Sequence, residues 1–133
     1  MQVKIGGRTF RLGYTVHTLM TLEEKYGSLD TDDIPQIISK LNGLVDVLYA
    51  LAYDGAQLDG QKLDVSKEWL AVHIPANQRK VIGLQVAVID TVAEANRMES
   101  EEDEDLSKEV DVVLQELQKK RTDSRGDKSS HTD

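Results

Sequence analysis

The spacing of apolar residues changes once near the start of this chain, at Tyr14-Thr15, and that change limits what it can fold into. Before it, Gln2 to Ile5 and Arg8 to Leu12 alternate polar and apolar residues on either side of Gly6-Gly7. Such alternation around two glycines predicts a hairpin closed by a tight turn, because both central positions of that turn need positive φ. After it, apolar residues recur every three or four positions, the period of helices with one buried face. A lone hairpin is marginal in water, so it must pack on the helices or pair with a strand from another molecule. Val3, Ile5, Phe10 and Leu12 supply the apolar face for that. The expectation is a mainly α fold: a small helical domain with an N-terminal β-hairpin covering one end of its core.

Thr15 is a good helix N-cap, and Tyr14 before it can staple onto Leu19. Val16, Leu19, Met20 and Tyr26 then mark an apolar face that stops at Gly27, which predicts a helix over 15–26. "LDTDDIPQ" offers acidic caps and a proline for a first turn; Ile34, Ile37, Ile38 and Leu41 follow as a short second helix ending at Asn42-Gly43. Leu44, Val45, Leu48, Leu51 and Ala52 make a third, stopping at Asp54-Gly55. "DGAQLDGQKLD" reads as a turn-rich surface loop. Asp64 or Ser66 caps a short helix carrying Trp69 and Leu70, which breaks at Ile74-Pro75 because a residue before proline is pushed out of helical geometry.

Residues 77–98 form the longest predicted helix. Ile82, Val86, Ile89 and Ala93 line one side, and Val81, Leu84, Val88 and Val92 widen the apolar arc beyond what a surface helix needs. That helix is either central to the core or shared with a partner. "MESEEDEDLS" then reads as a solvated, self-repelling linker. Leu106, Val110, Val113, Leu114 and Leu117 return at helical spacing, giving an amphipathic helix over 105–118 that is only marginally stable alone. The polar end is expected to be disordered. The organisation is therefore a helical domain with its hairpin over 1–98 and an acidic, partly disordered tail over 99–133.

Charge narrows the function. The formal net charge is −8, and the tail carries most of it: residues 1–98 hold 12 acidic and 10 basic side chains, residues 99–133 hold 12 and 6. No basic stripe is present to neutralise phosphates, which argues against nucleic acid and anionic membranes as partners. No cysteine is available for disulfides, thiolate chemistry or sulfur-ligated metals. No apolar run approaches the roughly 18 residues of a membrane span, and no export signal is expected.

Catalytic and cofactor patterns are sparse. His17, His73 and His131 lie far apart and lack metal-ligand spacing, so each is assigned a structural or surface role. Glu23 and Glu24 are adjacent on a helix and cannot share a face. The Asp-Gly loop puts Ala56 and Leu58, or Gln61 and Leu63, where a calcium loop needs oxygen ligands. Gly6-Gly7 joins two strands and lacks the Lys-Ser/Thr of a phosphate loop. A helix-turn-helix over the second and third helices fails because "LVDVLYALAYDG" has no basic residue. A binding protein without catalytic residues, cofactor or metal is the expectation.

The order of these elements, with "IGGRTFRLGYT", "TLEEKYGSL" and "LDVSKEWL" in place, resembles the tail assembly chaperones of long-tailed bacteriophages and prophages over about residues 2–98. The resemblance implies a protein of the host bacterial cytoplasm that binds the tape measure protein, a very long helical and apolar chain. It would keep that chain soluble, help recruit tail tube protein, and be absent from the mature virion. It also implies a longer form made by ribosomal frameshifting, this chain being the short one. A homo-oligomer is expected from the broad apolar arc of the long helix and from the exposed hairpin edge. The residues expected to serve client binding or self-association are Val81, Leu84, Val88 and Val92 on the long helix and Leu106, Val110, Val113 and Leu117 on the C-terminal one. The alternative is a small dimeric helical adaptor or regulatory protein of a mobile element.

Overall fold

Strands β1 (Gln2–Ile5) and β2 (Arg8–Arg11) pair antiparallel, with Val3 opposite Phe10 and Ile5 opposite Arg8. Gly6 and Gly7 close them at φ +59° and +77°, the left-handed pair that a two-residue turn requires. The computed structural model describes residues 1–97 and 111–118. The chain divides into two units, Met1–Met98 and Glu99–Asp133, and the first is mostly helical. Val3, Ile5, Phe10 and Leu12 are buried in its core, so the hairpin is anchored by the face its alternation predicted. Its tip is held by an aromatic stack: Trp69 meets the Phe10 ring edge-on at 6.0 Å and stacks on His73 at 3.9 Å, and the Arg8 guanidinium lies over both Phe10 and Trp69.

Helix α1 (Val16–Tyr26) starts at Thr15, whose hydroxyl accepts from the Thr18 N–H, and ends at Gly27. Its buried residues are Thr18 and Leu22, while Val16 and Met20 face outward at 74% and 58% exposure. Of the expected apolar face of α1, only Leu19 packs against the core, while Val16, Met20 and Tyr26 are turned outward. The cause is polar: the buried carboxylate of Asp54 accepts from Thr18 Oγ1 at 2.5 Å, Thr15 Oγ1 at 3.3 Å and His17 Nδ1 at 2.7 Å, and these bonds set the rotation of α1. His17 has a structural role, stacked on Tyr53 and hydrogen-bonded through Nδ1 to the Asp54 carboxylate.

A 3-10 turn over Thr31–Asp33, capped by Asp30, leads into the short α2 (Ile34–Ile38). The chain reverses at Ser39-Lys40, ahead of the expected Asn42-Gly43, and α3 runs unbroken from Leu41 to Leu58. Both glycine signals thus fall inside one helix, and Asp54 to Leu58 are helical rather than loop. A Cβ on Gly43 would stand 1.9 Å from the Ile37 carbonyl oxygen, and one on Gly55 would stand 2.0 Å from that of Arg11. These glycines let neighbouring backbone touch α3; they do not end it. Leu44, Val47, Leu48 and Leu51 make α3 the central element. The following loop is tied to the hairpin by Arg11–Asp59 and Arg8–Asp64 ion pairs.

Ser66 caps α4 (Lys67–His73), which ends at an extended Ile74 before Pro75. The Asn77 side chain accepts from the N–H groups of Arg79 and Lys80 and starts α5 (Gln78–Arg97). Buried Asp46 on α3 joins three helices, accepting from Lys25 (2.7 Å) and Tyr26 (2.6 Å) of α1 and Lys67 (2.9 Å) of α4. Burial alone would raise its pKa, but hydrogen bonds from Lys25, Lys67 and Tyr26 outweigh that and hold the carboxyl below its ordinary 3.8. The Tyr26 phenol is pushed up to about 12, by burial and then by the carboxylate beside it.

A pH dependence follows from the direction of the Asp46 shift. The unfolded chain binds the proton first, so stability from this group is complete above pH 3.8 and falls as pH drops through the lower folded value. Chemical denaturation from about pH 5 to about pH 2 is expected to show an acid loss that Asp46→Asn flattens. The variant is expected to cost about 2 kcal/mol at neutral pH, since it removes the charged hydrogen bonds that join three helices.

Candidate functional site

Helix α5 presents two apolar faces at nearly the same spacing, and they have opposite fates. Leu84, Val88 and Val92 are buried in the core with Thr91, and Val81 packs partly against it. Ile82, Val86 and Ile89 are 48%, 51% and 39% exposed, and Ala93 is exposed beyond them. One hydrogen bond records the rotation: Gln85 Nε2 donates to the Ile38 carbonyl of α2 at 2.9 Å, while buried Thr91 satisfies its own hydroxyl on the Ala87 carbonyl of its helix. Three of the four residues expected on α5 to meet a client, Leu84, Val88 and Val92, are thus core side chains. The surface they were meant to provide lies on the other half of the same arc.

That outward stripe is broadened on one side. Exposed Pro35 of α2 faces Ile89 and Ala93 of α5 across a shallow groove of about 240 Å³, lined also by buried Ile34 and Val92 and by the polar residues Thr31, Asp32 and Asn96. Apolar side chains at i, i+4, i+7 and i+11 beside such a groove match the anchors by which an amphipathic helix is read. Half-exposed isoleucine and valine gain roughly 1 kcal/mol each when covered, so Ile82, Val86 and Ile89 together amount to about 3 kcal/mol before ordering costs, and Ala93 adds little. One contact of this size is too weak for a permanent complex, and holding a client would need it repeated along the client's length.

Of the C-terminal residues expected at the site, Leu106 and Val110 lie outside the described residues. Residues 111–118 are helical, and within that unit Val112, Val113, Leu114 and Leu117 are all between 43% and 59% exposed. Val113 and Leu117, at 54% and 53%, are thus about half exposed. Among the described residues no helix is long and apolar enough to cross a membrane, and no group of His, Cys, Asp and Glu is arranged to hold a metal ion.

Fold and surface together define a small helical domain with a half-exposed apolar helix on one side. No protein-family model, curated protein or solved structure matches the chain.

Proposed function

We propose that this protein is a tail assembly chaperone of the kind its sequence resembles, binding the tape measure protein of a long-tailed phage or prophage, keeping it soluble and helping to bring tail tube protein to it. The observation that carries the reading is the exposed stripe Ile82, Val86, Ile89 and Ala93 beside the Ile34–Pro35 groove. A long apolar helical client needs a surface of this shape, and weak, repeated contacts suit a protein that must later be displaced. The net charge of −8 supports it too, because a holder with exposed apolar surface stays soluble through self-repulsion. The place of action is the bacterial cytoplasm, as a homo-oligomer on the client, with a frameshifted longer form contacting the tube protein.

The test is co-expression of the full chain with the longest helical protein encoded beside it. Wild type is expected to keep that protein soluble and to co-purify with it; Val86→Asp and Ile89→Asp should remove both effects in chains that still fold. Aggregation of the long protein regardless, with this chain eluting as a dimer bound to nothing, would overturn the reading in favour of a dimeric adaptor.

A further inference from the structure

The hairpin has one covered edge and one open edge. Register sets their parity: the Leu12 N–H bonds the Met1 carbonyl, and Val3 pairs with Phe10, so Gln2 and Lys4 direct their backbone groups away from β2. On the far side, the Arg11 carbonyl closes against Gly55 of α3. The edge at Gln2 and Lys4 opens instead onto a groove of about 290 Å³ along the first half of α5. Its wall on α5 is low, built from Gly83 and Ala87, and a Cβ placed on Gly83 would meet nothing within 4 Å.

The groove is also cationic. Lys4, Arg79 and Lys80 line it, and no acidic residue does. Among the described residues these three have no carboxylate partner, as Lys40, Lys62 and Arg97 also do not, whereas Arg8, Arg11, Lys25 and Lys67 are paired; what is particular to the groove is that three unpaired cations line it together. The Lys80 ammonium instead rests on the Lys4 carbonyl at 2.7 Å, the acceptor that an added strand would need. Lysine at a sheet edge normally prevents pairing. Here it also selects: a strand without carboxylates would displace the ammonium and leave it unpaired, whereas one bearing them offers a replacement partner.

We propose that the β1 edge and α5 form a second binding site, separate from the α5 stripe, that takes an extended acidic segment of a partner protein as a third strand. Gln2 and Lys4 supply main-chain hydrogen bonds, alternate small apolar residues of the segment settle over Gly83 and Ala87, and the intervening carboxylates meet Lys4, Arg79 and Lys80. The assignment rests on the edge and its charge and does not depend on the chaperone reading.

The probe is a short blocked peptide alternating valine and glutamate, titrated into the full chain and followed by fluorescence polarisation and by backbone amide shifts. It is expected to bind at least about tenfold tighter at low than at high salt, and similarly tighter than a peptide of the same composition with its glutamates in one block. The Gln2 and Lys4 amides should shift, those of Thr9 and Arg11 should not, and the lysine-for-glutamate peptide should not bind. Lys4→Glu with Lys80→Glu should abolish binding without loss of helix. Gln2→Pro, which removes an outward N–H and no cross-strand bond, should weaken it by about tenfold. Equal binding of the blocked and alternating peptides, shifts confined to the α5 stripe, or no binding would each overturn the site. If instead the Gln2 and Lys4 amides shift with protein concentration alone, the occupant is a second copy and the partner assignment falls.

Discussion

Gly55→Ala is expected to unfold the N-terminal unit or leave it barely stable, although alanine is the better helix former and the site lies within the last turn of α3. The added Cβ would stand 2.0 Å from the Arg11 carbonyl oxygen, a backbone atom at the end of β2 that cannot swing aside as a side chain would. Separating the two means lifting the hairpin from α3, which uncovers Phe10 and Leu12 and breaks the bond from the Gly13 N–H to the Leu51 carbonyl. A loss of more than about 3 kcal/mol is expected, a large part of the stability of a domain this size. Gly83→Ala supplies the contrast: nothing lies within 4 Å of its Cβ, so it should gain up to about 1 kcal/mol from propensity alone. Thermal or urea unfolding of the two variants beside wild type checks the pair, and equal effects at both sites would refute the close-approach account.

The second large effect separates the two faces of α5. Val88 is fully buried, so Val88→Asp places an unpaired carboxylate in the core and is expected to cost more than about 4 kcal/mol, enough to abolish cooperative unfolding. Val86→Asp, two residues away and half exposed, is expected to change stability by less than about 0.5 kcal/mol. Any client binding through the stripe should vanish in the second variant while the fold survives. Circular dichroism and a denaturation curve for each, read with the co-expression assay, decide it. A Val86→Asp chain that unfolds as Val88→Asp does would show that the stripe is structural.

Much of the architecture was legible because local chemistry and tertiary environment agreed. The Gly6-Gly7 turn, the Thr15 and Ser66 caps, the stop at Gly27 and the break before Pro75 all depend on backbone preferences that act within a few residues. Where the reading failed, a local signal served a distant contact. Asn42-Gly43 and Asp54-Gly55 have the composition of helix ends, yet their glycines sit against the carbonyls of Ile37 and Arg11, and the Asp54 side chain is spent on Thr15, His17 and Thr18. Propensity cannot tell a glycine that ends a helix from one that admits a neighbour.

The candidate surface shows the same division. Periodicity established that α5 has apolar residues over more of its circumference than a surface helix requires, and hence that the helix was either central to the core or shared with a partner. It did not determine whether any part of the arc stays outside, or which part. Leu84, Val88 and Val92 satisfy helical spacing, and so do Ile82, Val86, Ile89 and Ala93, because a pattern repeating every 3.6 residues has no absolute phase. Only packing supplied the phase, through the Gln85 bond to Ile38 and the fit of Leu84 and Val88 into the core around α3. The amino-acid sequence by itself determined the elements, their order and the excess of apolar surface. The tertiary structure alone decided which side chains remain outside, since burial depends on neighbours far along the chain and helical periodicity records only neighbours within a turn.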